Sequence, residues 1–554
     1  MKAAAAIAAL AFAAPSVVGA DATQLGVGYI CGAEQLSARP VGAAQAVMLA
    51  GVGNGASPAD TTNAQAQAWY NEGLNLYHAF DHNEATAAFA KAAALDPNCA
   101  LCEWGFALSL GPTLNYGVTP QQTALALVHA ERARTLVKPG DLRAEGLISA
   151  LQVRYGKDTP DARRDTLYGA AMDDMARRFP GDDEIAELAV HALLVPARRD
   201  DKSGVPRSEA LLRDILARHP DDTAAIHYYI HATEFAGHPA DALPYADRLA
   251  ALAPGASHLV HMAAHTLMHV GQYERVAVVD AQALKVDADV EKELAYAGPL
   301  SSQMYYLHNY TFGLAGALMS GDRRLALKYA DHAAVAFPAA FDRGAVALPS
   351  GVSRIESPAN RRATADAKRL VAYGRYDPTR ALAMTAEPGE PRVVEIYRHY
   401  ARGEAYAAKG DAEGAHREAD LLLMLEALAL KTHQKGNEDI ASIASDVLYG
   451  RAALMTHAPA RAAELFARAA ARQEKAYPFA DNFDPPPWWY PVRRSLAAAD
   501  LAAGRTEDAI REANTSLAAW PQDALALKVL SQAEARAGRQ TDARRHMAQA
   551  RRVW

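Results

Sequence analysis

The chain has 554 residues, half of them hydrophobic but only 7% aromatic, with 57 basic against 64 acidic side chains for a formal net charge of −7. That length exceeds what one compact core needs, so several domains or one extended solenoid are expected. Alanine supplies much of the apolar content, which favours closely packed helices over sheets, and with no basic block nucleic acid is not an expected partner.

Residues 1–20 read as a secretory signal. Lys2 gives a positive start, Ala3 to Val17 form an apolar stretch, and Val18-Gly19-Ala20 offers small residues for cleavage before Asp21. The mature chain is therefore expected to be periplasmic or secreted. No later stretch reaches the roughly 18–20 unbroken apolar residues of a membrane span. Residues 21–62, rich in Gly, Ala, Ser and Thr, are expected to be an irregular lead-in. Cys31 stands alone, whereas Cys99 and Cys102 sit at a helix start after Pro97-Asn98. These two have three readings: a local disulfide, a redox pair, or small buried residues.

From Trp69 to Pro97 a repeat becomes legible. Trp69, Gly73, Ala85, Phe89, Ala92 and Pro97 match the pattern of a tetratricopeptide repeat, and the run resembles that family closely. The resemblance implies an all-α, tetratricopeptide-like α-solenoid: antiparallel helix pairs stacked into a superhelix, with the first helix of each pair lining a concave groove. It spans 63–337 and returns at 395–554, specific at 67–110, 224–288 and 488–550, looser across 120–220 and poor across 338–394. Glycines recur with a small residue five positions on, at Gly237, Gly271, Gly321, Gly410, Gly504 and Gly538, where a turn joins two helices. His78, His82 and Glu84 surround the first such turn and are expected to cap it.

Next comes a histidine pattern with the repeat's own period. His227 and His231 are one helical turn apart, and Glu234 continues their stripe. His258, His261, His265 and His269 form a second stripe, with His261 and His265 each 34 residues beyond its counterpart. His308 falls at the equivalent of His258, after an insertion expected over 284–304. In the family these first-helix positions face the groove, so the pattern implies four imidazoles gathered on one patch. Neutral imidazole suits Zn, Cu, Fe and Ni, and a carboxylate such as Glu234 tilts a site toward iron, manganese or zinc. The expected cofactor is thus a transition-metal ion (Cu, Fe, Zn or Mn), and the expected ligands are His227, His231, Glu234, His258, His261, His265 and His308.

Residues 338–394, with Pro338, Pro349, Pro358, Pro378, Pro388 and Pro391, are expected to be an irregular connection, and 395–554 a second set of helical repeats. Trp488-Trp489-Tyr490 reads chiefly as packing between a loop and a helix pair. The His-Met-x-x-His run, His308-Asn309 and Pro486-Pro487-Trp488-Trp489-Tyr490-Pro491 resemble segments of exported bacterial tetratricopeptide-repeat proteins of unassigned function. No hydrolase elbow, phosphate loop, dinucleotide fingerprint or His-Glu-x-x-His helix occurs. Three functions stay open. The chain is a binding protein with a metal site, a metalloenzyme (hydrolase or oxidoreductase) with Glu234, Tyr228 and Tyr229 as candidate acid–base groups, or a metal-free scaffold holding a peptide or protein in its groove.

Overall fold

Neighbouring helices pair throughout this computed structural model, which describes residues 46–553 apart from 116, 157–158, 161–162, 200, 295–303, 338–357 and 480–483. The expected signal segment, Cys31 and the first part of the proline-rich connection lie outside the described residues. Among those described there are 24 α-helices and no strand. The first block is built from α1 (Ala64–His78) and α2 (His82–Leu95), α3 (Ala100–Ser109) and α4 (Pro120–Leu136), and α5 (Leu142–Tyr155) and α6 (Arg164–Arg178). It continues with α7 (Asp183–Leu194) and α8 (Val205–Arg218), α9 (Thr223–Ala236) and α10 (Leu243–Leu252), α11 (Ser257–His269) and α12 (Tyr273–Leu294), and α13 (Met304–Ser320) and α14 (Arg323–Ala336). This is the tetratricopeptide-like solenoid. The expected insertion is in part a lengthening of α12, which runs for 22 residues.

The proline-rich connection is less irregular than its composition suggests. Pro358 and Pro378 stand at the first positions of α15 (Pro358–Tyr376) and α16 (Pro378–Ala383), where a missing N–H costs nothing. The chain then returns to pairs: α17 (Arg392–Ala408) and α18 (Ala412–Lys431), α19 (Lys435–Met455) and α20 (Pro459–Ala476), α21 (Arg493–Ala502) and α22 (Thr506–Ala519), and α23 (Ala524–Arg536) and α24 (Gln540–Arg552).

Local chemistry sets these boundaries. Asp222 accepts from the Ala225 N–H to start α9, and Gly237, in the left-handed region at φ +83°, ends it. The other five turn glycines share that conformation, with φ between +77° and +80°. Inner and outer helices differ in burial. In α10 only Ala246 and Leu249 are buried, whereas every residue of α9 except Ala236 is. A helix covered on all sides has neighbours on its groove face too.

Those neighbours come from both ends of the chain. The lead-in crosses the inner helices, with Gly255 N–H donating to the Gly51 carbonyl at 2.8 Å and Thr223 Oγ1 to Asn54 Oδ1 at 2.9 Å. Opposite, Gln522 Nε2 donates to the Val270 carbonyl at 3.1 Å, and Asp484 Oδ1 lies 3.1 Å from His308 Nδ1 of α13. The C-terminal helices thus close onto the first block.

Two glycine variants separate turn strain from closure. Gly237→Ala has open space for its Cβ and should lose only the roughly 1–2 kcal/mol of a left-handed non-glycine residue. Gly271→Ala carries the same strain at φ +79°, and its Cβ would lie 2.0 Å from the Pro521 carbonyl oxygen. Thermal unfolding should show the larger loss for Gly271→Ala, with faster hydrogen exchange around residues 520–522 in that variant alone.

Candidate metal centre

Three inner helices carry the histidines. His227 and His231 project from α9, and the ring that joins them is His258, from the start of α11; one ligand atom from each lies within 4.8 Å of the others. His261 and His265, further along α11, are joined in the same way by His308 of α13. The pairs His227/His231 and His261/His265 therefore do not converge on one point. Each pair is completed by a residue of the next helix, and His258 comes one turn before α11's own pair, so one stripe serves two trios. The trios adjoin: ring centres of His231 and His265 are 5.7 Å apart, and those of His258 and His261 are 6.0 Å apart. All six rings are at most 3% exposed.

The ring nitrogens divide into an outer set held by protein groups and an inner set facing one another. In the second trio, His261 Nδ1 meets Asp280 Oδ1 at 2.5 Å and His265 Nδ1 meets Glu234 Oε1 at 2.9 Å, while His308 Nδ1 lies 3.1 Å from Asp484 Oδ1 in an electrostatic contact rather than a hydrogen bond. Carboxylates accept, so they favour the proton on Nδ1 and the lone pair on Nε2. The Nε2 atoms of His265 and His308 then face each other at 3.4 Å. Two ligands about 2.0–2.1 Å from one tetrahedral ion stand roughly that far apart. His261 Nε2 is buried without a hydrogen-bond partner.

The first trio is held more loosely. His227 Nδ1 donates to the His78 carbonyl at 2.6 Å, which leaves its Nε2 buried and unpartnered. His231 Nδ1 lies 3.7 Å from Glu234 Oε2, beyond hydrogen-bond range, and its Nε2 is unpartnered. Neither nitrogen of His258 has a hydrogen-bond partner.

Burial is the largest influence on the ionisation of these rings. It pushes His227, His258 and His261 well below the ordinary imidazole value, with neighbouring rings adding to the effect, and takes His265 down to about 3. His231 is lowered by burial as well, against an upward pull from Glu234. Neutral rings keep their lone pairs for a cation. Burial also holds the Asp280 carboxyl well above the usual range, with Asp287 adding to it.

Two phenylalanines line the trios. Phe312 has its ring centre 4.6–4.9 Å from those of His261, His265 and His308. Phe80 lies 4.4 Å from His227, 5.9 Å from His231 and 5.3 Å from His258, and its backbone has φ +62°, an outlier for a bulky residue.

The other sequence candidates take different places. Glu234 stands behind the rings, with Oε1 toward His265 and Oε2 toward His231, and so spans both trios as an orienting group. Tyr228 stacks on His227 at 5.1 Å, while its hydroxyl meets His78 Nδ1 at 2.8 Å. Tyr229 packs on Tyr245 of α10, away from the trios. His269 packs at a tilt against Phe479, and His238 is partly exposed beside Glu209 and Asp241. Trp488 is fully buried, and the Trp489 indole N–H donates to Tyr400 Oη at 3.1 Å, as the packing reading expects. Cys99 and Cys102 form a disulfide. His82, expected to cap a turn, is buried with Nδ1 donating to the Gly111 carbonyl at 3.2 Å.

The sequence reading missed the roles of Asp280, Asp484, Phe80, Phe312 and His191. None repeats with the 34-residue period. His191 Nδ1 meets Tyr77 Oη at 2.7 Å, and burial lowers its pKa well below the ordinary value.

The chain matches no protein-family model and no curated protein. It is similar to several solved helical-repeat structures at low identity. The human IFIT1 dimer with m7Gppp-AAAA is 13% identical over 89% of this chain and 91% of that one, with a TM-score of 0.29. The APC/C hetero-tetramer Cut9–Hcn1 is 14% identical over 84% and 76%, with a TM-score of 0.27. The P58(IPK) TPR domain is 13% identical over 88% and 98%, with a TM-score of 0.21.

Proposed function

We propose that this protein binds two transition-metal ions, one in each histidine trio, and uses them as a paired centre for a small ligand. One observation carries the reading: buried ring nitrogens are gathered three by three, each group within 4.8 Å, and His227, His231, His258 and His261 each hold a buried nitrogen with no hydrogen-bond partner. A shared proton between His265 and His308 would serve two of three nitrogens, whereas a metal ion serves all three. Leaving such groups unpaired in the interior is costly, and a coordinated ion removes that cost.

The donor set narrows the ion. Six imidazoles with the carboxylates held behind them suit copper, zinc, iron or nickel and disfavour manganese. Three protein ligands leave a coordination position open at each ion, the pattern of reactive rather than purely structural sites. With the rings at most 3% exposed, water or dioxygen fits the enclosure better than a polymer does. The same burial argues against the peptide-groove reading, which needs these first-helix positions at the surface. Export remains part of the proposal, and the Cys99–Cys102 disulfide supports an oxidising compartment.

Elemental analysis of untagged protein purified without chelators tests the reading. Two ions of copper, zinc, iron or nickel per chain are expected, released by chelation and recovered on titration. A chain that holds none and takes up none sinks the proposal. Oxygen consumption and ester hydrolysis by the loaded protein then separate redox from hydrolytic chemistry.

A further inference from the structure

Behind the first trio lies a buried group that the six rings do not use. His78, the last residue of α1, directs Nε2 at two carboxylates of α7, Glu184 Oε1 at 3.1 Å and Glu187 Oε2 at 3.8 Å. One ligand atom from each lies within 4.8 Å of the others. His78, Glu184 and Glu187 are 3%, 9% and 4% exposed. Ligands about 2.0–2.2 Å from a common ion stand roughly 3.0–3.6 Å apart, close to the two distances observed.

Acidic groups crowd this position, and burial with the neighbouring Asp222 and Glu184 raises the Glu187 pKa well above the ordinary value. Glu187 Oε1 is buried with no hydrogen-bond partner, and Asp222 adds a further negative charge nearby. Arg143 acts on Glu184 electrostatically but is engaged directly by Asp182 at 2.7 Å. Two buried carboxylates against one imidazole are expensive to keep unless something positive joins them. The outer nitrogen of His78 is also fixed, since Nδ1 meets Tyr228 Oη at 2.8 Å as the trio rings meet their own partners.

We propose that His78, Glu184 and Glu187 form a third metal position, with one nitrogen and two oxygen donors, for a divalent cation harder than those the trios select. Carboxylate-rich ligation suits manganese(II), which imidazole-only sites hold weakly. The position does not depend on the trio reading. Its competitor is a proton shared among the carboxyl groups.

Manganese(II) titration of the chelator-stripped full chain, with free ion read by electron paramagnetic resonance, decides between them. One bound Mn(II) per chain is expected in the native sequence and in His261→Asn. Glu187→Gln should weaken it by roughly tenfold or more, and Glu184→Gln with Glu187→Gln should abolish it. No binding by the native chain overturns the proposal, as does undiminished binding by the double variant. Should the double variant fail to fold by circular dichroism, the native chain and Glu187→Gln decide alone, and undiminished binding by Glu187→Gln is then the overturning result. Zinc content of the glutamine variants, expected to stay at two ions per chain, reads the trios separately.

Discussion

A chain carrying His227→Asn and His261→Asn, one change in each trio, is expected to lose both trio metals while keeping its helical content. Asparagine places an amide N–H near the imidazole Nδ1 position. It can still donate to the His78 carbonyl and to Asp280, the partners that His227 and His261 hold at 2.6 and 2.5 Å. What it removes is Nε2, the nitrogen that faces the trio. Loss of an orienting partner costs a metal site about 10–100-fold in affinity, and loss of a ligand should cost at least the upper end of that range in each trio. The buried volume lost is small, so unfolding should shift by only about 1–3 kcal/mol. Metal content and far-ultraviolet circular dichroism on the same sample check both halves. Full metal retention would mean that these rings are not ligands. Loss of helicity would mean that they are core residues whose packing matters more than their lone pairs.

The histidine pattern was legible because repeat proteins write geometry as period. Helical spacing put His227 beside His231, and the 34-residue interval carried that pair to His261 and His265. Sequence register still misled on one point, because it set His227 opposite His261. Stacked inner helices are offset, so each pair meets a ring one turn earlier on its neighbour, and one expected patch becomes two trios. His308 was found by counting back from Gly321 across the lengthened α12.

The supporting residues were beyond such reasoning. Asp280 belongs to the outer helix of its pair, and its side chain reaches inward only because α12 packs on α11. Asp484 arrives from a loop of the C-terminal half to meet His308, and no period links the two. His78 seemed a turn residue, yet closure of the superhelix brings the end of α1 against α7 and α9. Prolines were misleading in another way, since Pro358 and Pro378 open helices where composition alone suggested a break.

The same closure that hides the trios from solvent should make metal binding unusually tolerant of acid. At an exposed three-histidine site, protons compete with metal below the ordinary imidazole pKa of about 6.5, and each ring then costs about 1.4 kcal/mol per pH unit. Here burial holds His265 down to about 3 and the rings of His227, His258 and His261 well below their ordinary value. Protons therefore compete with metal for these rings less than at an exposed site. The rise in melting temperature produced by saturating zinc should accordingly fall less between pH 6.5 and pH 5 than it would at an exposed three-histidine site. The absolute stability of either form behaves differently from this increment. The unfolded state takes up protons on these histidines below pH 6.5 more readily than the folded state, so their contribution to stability falls as pH drops through that window. Asp287, which burial pushes up to about 7, works the other way, because the folded state binds its proton first. Both effects are common to the loaded and stripped proteins and cancel in the difference between their melting temperatures. A zinc increment that already falls steeply between pH 6.5 and pH 5 would show ligands titrating as exposed histidines do, and would place the metal away from the buried trios.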